Sequence, residues 1–390
     1  MFIDEDGIEL MKKVLLIMPI STLNWGEENI GGVDSVCQML VRQLAAQERP
    51  YHYRVLAFDP LNNHSSSGEI IQLSKNVEVV VCQLREKRFG LPLPSLLSTW
   101  LRIQEQLRFF QPDLVHAHLN SWMIGIGYKT RNVLTLHSYR KIGRKPVSKL
   151  NDFVYEQIIP WVSDFSVDAY TCVGEVLHQA LKPETAKPIR VIGNPVNQEY
   201  FIQPSHTFSG SSIHFVTCAL ISRHKRIELA ISLLRELKKL GQLATLCIIG
   251  PKVDHVYSME LQQLVQDYGL EQNVHFLGKL NQKEIVQQYQ LADVGIFTSA
   301  QETFGLAPLE MLAAGLPLVT TPVGILGERQ ATFAKLGVVF MRDGEEAEIA
   351  KRMNEIKMAD TQAIQAYLRD QFTAENVIEY YQNLYREVLS

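Results

Sequence analysis

The chain has 390 residues, of which 46% are hydrophobic and 21% charged, and its formal net charge is −4. This composition is typical of a soluble globular protein, and the length suffices for two domains of ordinary size. The weak negative charge excludes a general attraction to nucleic acid, so no nucleic-acid partner is expected. No apolar run approaches the roughly 18 residues that cross a bilayer, and the acidic start Met1–Glu9 differs from a signal peptide, which predicts a cytoplasmic protein.

Strands and helices are predicted to alternate along the chain. A buried strand at residues 11–20 precedes Gly31-Gly32 in a polar loop and a helix from Val33 to about Ala46, which is the opening of a Rossmann-like domain. The spacing is not the Gly-x-Gly-x-x-Gly of dinucleotide sites. Further strands are predicted at about residues 53–58, 77–84, 111–118, 133–138, 170–174, 190–196, 213–220, 244–250, 274–280, 294–298 and 316–321. Further helices are predicted at about residues 96–110, 228–240, 258–268, 282–291 and 374–389, with one short helix after Thr303.

This alternation predicts an α/β protein with two Rossmann-like, doubly wound domains that face each other across a cleft. The serine-rich segment 204–212 lacks periodicity and is the predicted linker. The first domain would then comprise residues 1–203 and the second residues 213–372. Residues 373–390 form a last helix with an aromatic packing face.

Three histidines stand at predicted strand ends of the first domain. His116 and His118 end one strand, and their spacing puts both on the same face. No third ligand stands nearby at metal-site spacing, so no metal site is expected. His137 ends the next strand, where ligands of open α/β sheets bind, although a histidine there is more often structural.

Five basic residues follow between positions 140 and 149, starting with Arg140. Such a run is usually a solvated loop. A phosphorylated lipid carrier or a membrane surface is the alternative partner.

A short helix with two flanking acids is the central feature of the second half. Its unpaired N–H groups, near Gly305 and Leu306, are predicted to form an anion site, and Thr303 is expected to cap it. Glu302 precedes the helix and Glu310 lies about one turn inside it. Carboxylates cannot bind phosphate, so both would face hydroxyl groups, as a nucleotide sugar would supply. The alternative is that Glu302 stabilises the helix dipole and Glu310 is simply solvated.

The pattern Glu302-x7-Glu310, with Phe304-Gly305-Leu306 inside it and Gly315-Leu-Pro317 behind, closely resembles the signature of retaining glycosyltransferases of family four. Those enzymes have the two-domain GT-B fold. The resemblance implies that Glu310 holds the ribose hydroxyls and that Phe304, Gly305 and Leu306 belong to the diphosphate turn. Glu302 would contact hydroxyls of the transferred sugar.

The resemblance also implies that the last helix, residues 373–390, crosses back to the first domain, and it implies roles for residues outside this signature. His137 would contact the donor sugar as a second catalytic residue, while His118 and Arg140 would lie on the acceptor side. The remaining donor-binding residues implied are Gly32, Arg223, Lys225, Gly250 and Leu280. Relatives carry an arginine five residues before the lysine, where this chain has Leu220, so either Arg223 substitutes for it or the loop is shorter.

The predicted function is therefore retaining transfer of a sugar from a nucleoside-diphosphate sugar to a hydroxyl of a glycan, a lipid carrier or a small molecule. No cofactor and no metal are expected. The alternatives are a nucleotide-sugar epimerase of the same architecture and a non-catalytic nucleotide-sugar-binding protein. The basic segment 140–149 would provide a peripheral membrane contact.

Overall fold

The computed structural model describes residues 11–25, 31–61, 68–88, 90–127, 129–138, 153–203, 212–357 and 359–390. The chain forms two compact units. The first comprises residues 1–195 and 374–390, and the second comprises residues 196–373.

The boundary between the units falls after Pro195, upstream of the predicted limit at residue 203. Hydrogen bonds within the second unit account for this position. The amide of Val196 donates to the carbonyl of Phe372 at 2.7 Å, and the side chain of Gln365 donates to the carbonyl of Ile202 at 2.9 Å. Most of the predicted linker, residues 204–211, lies outside the described residues.

Within the described ranges, the secondary structure follows the predicted alternation and consists of the following elements. The strands are β1 (Lys13–Pro19), β2 (His52–Asp59), β3 (Ile70–Ser74), β4 (Val77–Gln83), β5 (Lys87–Arg88), β6 (Leu91–Pro92), β7 (Leu114–Ala117), β8 (Arg131–Leu136), β9 (Ala169–Cys172), β10 (Ile189–Val191), β11 (Ser212–Cys218), β12 (Leu243–Ile249), β13 (Val274–Gly278), β14 (Val294–Phe297), β15 (Leu318–Thr320) and β16 (Val339–Phe340). The α-helices are α1 (Gly32–Ala46), α2 (Ser95–Phe110), α3 (Ile159–Asp164), α4 (Glu175–Leu181), α5 (Ile227–Lys239), α6 (His255–Asp267), α7 (Gln282–Leu291), α8 (Leu306–Ala313), α9 (Gly324–Glu328), α10 (Gln330–Lys335), α11 (Glu346–Lys357), α12 (Gln362–Gln371) and α13 (Ala374–Leu389). Single turns of other helix types lie at Asn120–Met123, Val154–Ile158, Gln198–Tyr200 and Arg223–Lys225.

The first unit is built on an eight-stranded sheet in the order β10-β9-β8-β7-β1-β2-β4-β3. Every pairing is parallel except that of β3 with β4. Parallel strands are covered on both faces, and β1 is accordingly a continuous run of buried apolar residues from Val14 to Met18. The strand order reverses between β1 and β7, so a ligand site is expected beyond their carboxyl ends.

The second unit contains a parallel six-stranded sheet in the order β13-β12-β11-β14-β15-β16. Its core lies between this sheet and helices that include α5, whose residues Ile231, Leu234 and Leu237 are fully buried. The reversal of strand order falls between β11 and β14. The loop that leaves β11 carries Arg223 and Lys225, and the loop that leaves β14 carries Glu302. Because these two strands are parallel neighbours, the topology brings the three residues to one edge of the sheet. The fold prediction of two parallel-sheet, Rossmann-like domains is thereby confirmed.

One detail of the short helix α8 was predicted wrongly. Its N-cap is Gly305, in the left-handed conformation with φ 88°, and no side chain caps it, so the expected cap by Thr303 is absent. The left-handed conformation of Gly305 makes the helix begin two residues later than it would with Thr303 as its cap. Pro308 lies in the first turn, as expected, and Gly315, with φ 77°, follows the helix end.

Candidate nucleotide-sugar site

The turn before α8 presents backbone N–H groups that have no acceptor. Among the described residues, none accepts a hydrogen bond from the amides of Gly305, Leu306 or Ala307. The amide end of a helix carries a partial positive charge and favours anions. The expected anion site therefore has free donors.

Gly324 holds this turn in place. A Cβ at Gly324, whose φ is 54°, would lie 2.2 Å from the carbonyl oxygen of Phe304. The next amide, of Ile325, donates to that same carbonyl at 2.9 Å. The Phe304 side chain is buried against Phe372, with ring centroids 5.9 Å apart, so Phe304 supports the turn from beneath. Gly324 was not among the site residues predicted from the sequence.

The cationic loop after β11 is fastened to the end of β14. The amide of Ala300 donates to the carbonyl of His224 at 2.8 Å, and the hydroxyl of Thr298 donates to the carbonyl of Lys225 at 3.0 Å. Arg226 has a positive φ of 46° and its guanidinium donates to the carbonyl of Thr298 at 3.2 Å. These hydrogen bonds hold the cationic loop after β11 next to the segment that leads into α8, so both belong to one site within the second unit.

Each side-chain cation of this loop has a carboxylate partner. Lys225 Nζ lies 2.5 Å from Glu302 Oε1, and the two side chains are only 14% and 16% exposed. Arg223 pairs with Glu260 at 2.7 Å on the surface. Arg226, which sequence reasoning passed over although it lies in the same basic run, pairs with Asp343 at 2.7 Å.

Glu310 has a different environment from Glu302. It is half-buried, and no described residue donates a hydrogen bond to its carboxylate. Burial raises the pKa of Glu310 from 4.5 to about 7. Burial, with neighbouring charges that include Glu310, also raises the pKa values of Tyr200, Cys218 and Tyr289. These three neighbours come from separate elements, and the sequence carried no signal for them.

Gly250 and Leu280 lie along the same edge of the sheet. Gly250 follows β12 with φ 141°, and a Cβ there would lie 1.9 Å from the carbonyl oxygen of Ala219, so the backbone needs a glycine. Leu280 is half-buried between β13 and α7. The strand order places Leu280 next to β12 and Gly250 next to β11.

The histidines of the first unit form a buried cluster at the carboxyl ends of β7 and β8. His118 Nδ1 lies 2.8 Å from His137 Nε2, and the two rings are stacked with centroids 5.1 Å apart. His116 bonds Tyr385 of α13 at 2.5 Å and Thr135 at 2.6 Å. The predicted common face of His116 and His118 is confirmed by their stacked rings, 4.7 Å between centroids.

All three histidines are neutral near pH 7. Burial lowers the pKa of His116 to about 3 and that of His137 to about 4, and it lowers the pKa of His118 as well. His118 Nε2 and His137 Nδ1 have no hydrogen-bond partner among the described residues. Within those residues, no three or more His, Cys, Asp and Glu side chains are grouped so as to hold a metal ion.

The remaining predicted residues are less informative. Gly32 is the first residue of α1 and is exposed. Ser21, which follows β1, is tied to this helix by Asp34, whose carboxylate accepts hydrogen bonds from the amide and the hydroxyl of Ser21 at 2.9 and 2.6 Å. Arg140 and the basic segment 140–149 lie outside the described residues. Over the described part of the chain, no helix is both long and apolar enough to span a bilayer.

Two family models match consecutive parts of the chain. The one described as Glycosyltransferase Family 4 matches residues 30–200, and the one described as Glycosyl transferases group 1 matches residues 200–370. Together they cover residues 30–370.

One curated relative and two solved structures are also similar to this chain. The O-antigen chain mannosyltransferase RfbU of Salmonella typhimurium is 29% identical over 143 residues, 37% of this chain and 38% of that protein, so the chain spans well under two thirds of this relative. The fold is that of sucrose-phosphate synthase from Thermosynechococcus elongatus, with a TM-score of 0.74 and 16% identity over 97% of this chain and 99% of that one. It is also that of Anabaena Alr3699/HepE in complex with UDP, with a TM-score of 0.67 and 18% identity over 97% and 100%. With two matched domains, two parallel sheets and the Glu302-x7-Glu310 turn, the chain belongs to the family-four glycosyltransferases of GT-B fold.

Proposed function

We propose that the protein transfers a sugar from a nucleoside-diphosphate sugar to a hydroxyl group of an acceptor, with retention of the anomeric configuration. The observation that carries this proposal is the turn before α8. Here the amides of Gly305, Leu306 and Ala307, which have no acceptor among the described residues, lie between Lys225 on one side and two carboxylates on the flanks. The solved complex of HepE with UDP supports a nucleotide as the ligand class.

The chemical task is to stabilise the charge of the departing nucleoside diphosphate. Lys225 and the amides of the turn would supply positive potential where that charge develops. Glu302 would accept hydrogen bonds from hydroxyls of the transferred sugar. In our proposal these groups stabilise the leaving diphosphate without a metal ion, so we expect the transferase activity to persist in the presence of EDTA.

Glu310 would hold the nucleoside end. None of the described residues donates a hydrogen bond to its carboxylate, and ribose hydroxyls are donors of suitable chemistry. Gly250 and Leu280 lie beyond it along the sheet edge and would approach the nucleobase through the backbone.

His137 and His118 would act in the first unit. A neutral His137, whose Nδ1 has no partner in the part of the chain that the structure describes, can bond a sugar hydroxyl without adding charge. His118, bonded to His137, would lie on the acceptor side together with Arg140.

The test begins with thermal shift. UDP, GDP, ADP and their glucose or mannose derivatives are screened, because a bound ligand raises the melting temperature by mass action. The stabilising nucleotide sugar is then incubated with and without acceptors, and the anomeric configuration of the product is read by NMR. We expect Glu310→Ala to weaken nucleotide binding and Glu302→Ala mainly to lower turnover. If no nucleotide stabilises the protein, the proposal is wrong.

The same incubation separates the two alternatives. A nucleotide-sugar epimerase would return an altered donor without any acceptor, and a silent binding protein would return the donor unchanged. The acid pair Glu302 and Glu310 favours transfer over epimerisation. The presence of Glu302, His137 and Lys225 favours a catalyst over a silent binding protein.

A membrane-bound acceptor is part of the proposal. The basic segment 140–149 is followed in sequence by an exposed apolar face with spacing i, i+3, i+7: Ile158, Trp161 and Phe165. Trp161 is 67% exposed and its ring packs against Phe165 with centroids 5.2 Å apart. Tryptophan favours the membrane interface and basic residues favour anionic lipid.

Co-sedimentation with vesicles tests this contact. We expect binding to vesicles that contain phosphatidylglycerol and weaker binding of Trp161→Ala. Trp100→Ala removes another exposed tryptophan, of α2, and is the matched control. Equal binding of both variants would contradict this assignment.

A further inference from the structure

The ion pair between Lys225 and Glu302 joins two residues that have different ligands in the proposed reaction. Lys225 is the cation assigned to the diphosphate, and Glu302 is the acid assigned to the sugar. Their side chains are 2.5 Å apart and largely sheltered, and Lys225 Nζ also lies 5.5 Å from the centroid of the Phe297 ring. A phosphate that takes Lys225 therefore deprives Glu302 of its partner. A sheltered carboxylate without a partner is costly.

The two neighbouring cations do not share this arrangement. Arg223 pairs with Glu260 at the surface, where ion pairs are weak. The partner of Arg226, Asp343, is itself mostly exposed. Neither acid has a role in the proposed site, so loss of either pair leaves a carboxylate that water can solvate.

We propose that Glu302 is the residue by which this protein discriminates an intact nucleotide sugar from the free nucleoside diphosphate. The inference rests on the proposed function. With the intact donor, the diphosphate takes Lys225 and the sugar hydroxyls donate to Glu302, so both groups regain partners. With the free diphosphate, Glu302 loses Lys225, gains no donor, and faces an anion with one more negative charge.

This exchange also favours release of the product. Once the sugar has left, the pair between Lys225 and Glu302 can form again only when the diphosphate gives up Lys225. The carboxylate thus competes with the product for the same cation, while it cooperates with the donor.

The experiment compares the dissociation constants of UDP and UDP-glucose in the wild type and in Glu302→Gln by isothermal titration calorimetry. The variant keeps the size of the side chain and removes its charge. We expect Glu302→Gln to bind UDP about tenfold more tightly than the wild type does, which corresponds to about 1.4 kcal/mol. The preference for UDP-glucose over UDP should fall by about the same factor.

Glu260→Gln is the matched control. It removes the same charge from the partner of Arg223 on the same loop, and we expect the ratio of the two dissociation constants to change by less than about twofold, as for a surface pair. An equal change in both variants would reveal a general charge effect and overturn the inference. An unchanged or weakened affinity of Glu302→Gln for UDP would overturn it as well.

A failure of the proposed discrimination by Glu302 can be distinguished from a failure of the proposed function. If UDP does not bind the wild type, the comparison is made with GDP and GDP-mannose or with ADP and ADP-glucose. If none of these binds, the proposed function itself fails. If they bind and the ratio is insensitive to Glu302, only the discrimination fails. Glu302→Ala, for which we expect the same direction, replaces the glutamine variant if that variant does not fold.

Discussion

Glu310 is expected to destabilise the protein near neutral pH, and Glu310→Gln should remove that effect. Burial raises the pKa of its carboxyl from 4.5 to about 7. Between these values the folded state binds more protons than the unfolded state, so the stability of the wild type falls as the pH rises. Above pH 7 the full cost is about 3 kcal/mol, because one pKa unit corresponds to about 1.4 kcal/mol. Near pH 5 only about 1 kcal/mol of it is present.

The measurement is urea unfolding of the wild type and Glu310→Gln at both pH values. The glutamine amide has its own burial cost, but that cost does not depend on pH. The advantage of the variant should therefore grow by about 2 kcal/mol between about pH 5 and about pH 8. The neighbours Cys218, Tyr200 and Tyr289 have raised pKa values and do not titrate in this range.

A constant difference between the two proteins at both pH values would refute the reasoning. It would mean that the Glu310 carboxylate is solvated in the folded chain. Glu302→Gln is a useful contrast, because it removes an ion pair and should lower stability at both pH values. A carboxylate that weakens the fold is most simply explained by its use for a ligand.

Three further predictions concern the scaffold. Gly324→Ala should destabilise the protein and weaken nucleotide binding, because its Cβ would lie 2.2 Å from the carbonyl oxygen of Phe304. Gly344→Ala, also at a positive φ (87°) but with no atom of a described residue within 4 Å of its Cβ, is the control in thermal shift and titration. Tyr385→Phe should cost about 1–2 kcal/mol in urea unfolding, because it removes the hydrogen bond to buried His116. The lowered pKa of His116 means that the unfolded state binds more protons below about pH 6.5, so stability should fall with acidification. His116→Gln should show a weaker dependence over the same range, and an unchanged pH profile would contradict this account.

The sequence predicted the long elements because their patterns are unambiguous. Parallel strands buried on both faces, such as β1, are continuous apolar runs, and helix α7 was predicted with the limits that it has. The edge strand β3 was missed, since its residues Ile70–Ser74 are mostly half-exposed and mimic a loop. The Thr303 cap was wrong because a glycine two residues later could take the left-handed conformation.

The site was predicted in part. Glu302, Gly305 and Lys225 could be selected because each lies at a strand or helix end, where chemistry concentrates. Their mutual arrangement could not be predicted, since the ion pair joins residues that are 77 positions apart. The burial that raises the pKa of Glu310 likewise depends on side chains from several distant elements.

The first unit is discontinuous along the chain, with consequences for biosynthesis. Its sheet is complete by Val191, but Tyr381 and Tyr385, which contact His116, are translated only after the whole second unit. A nascent chain therefore lacks the tyrosine partners of buried His116 until α13 has been translated. A stop codon before α13 would therefore leave the buried Nδ1 of His116 without its partner Tyr385, while Nε2 would keep its hydrogen bond to Thr135.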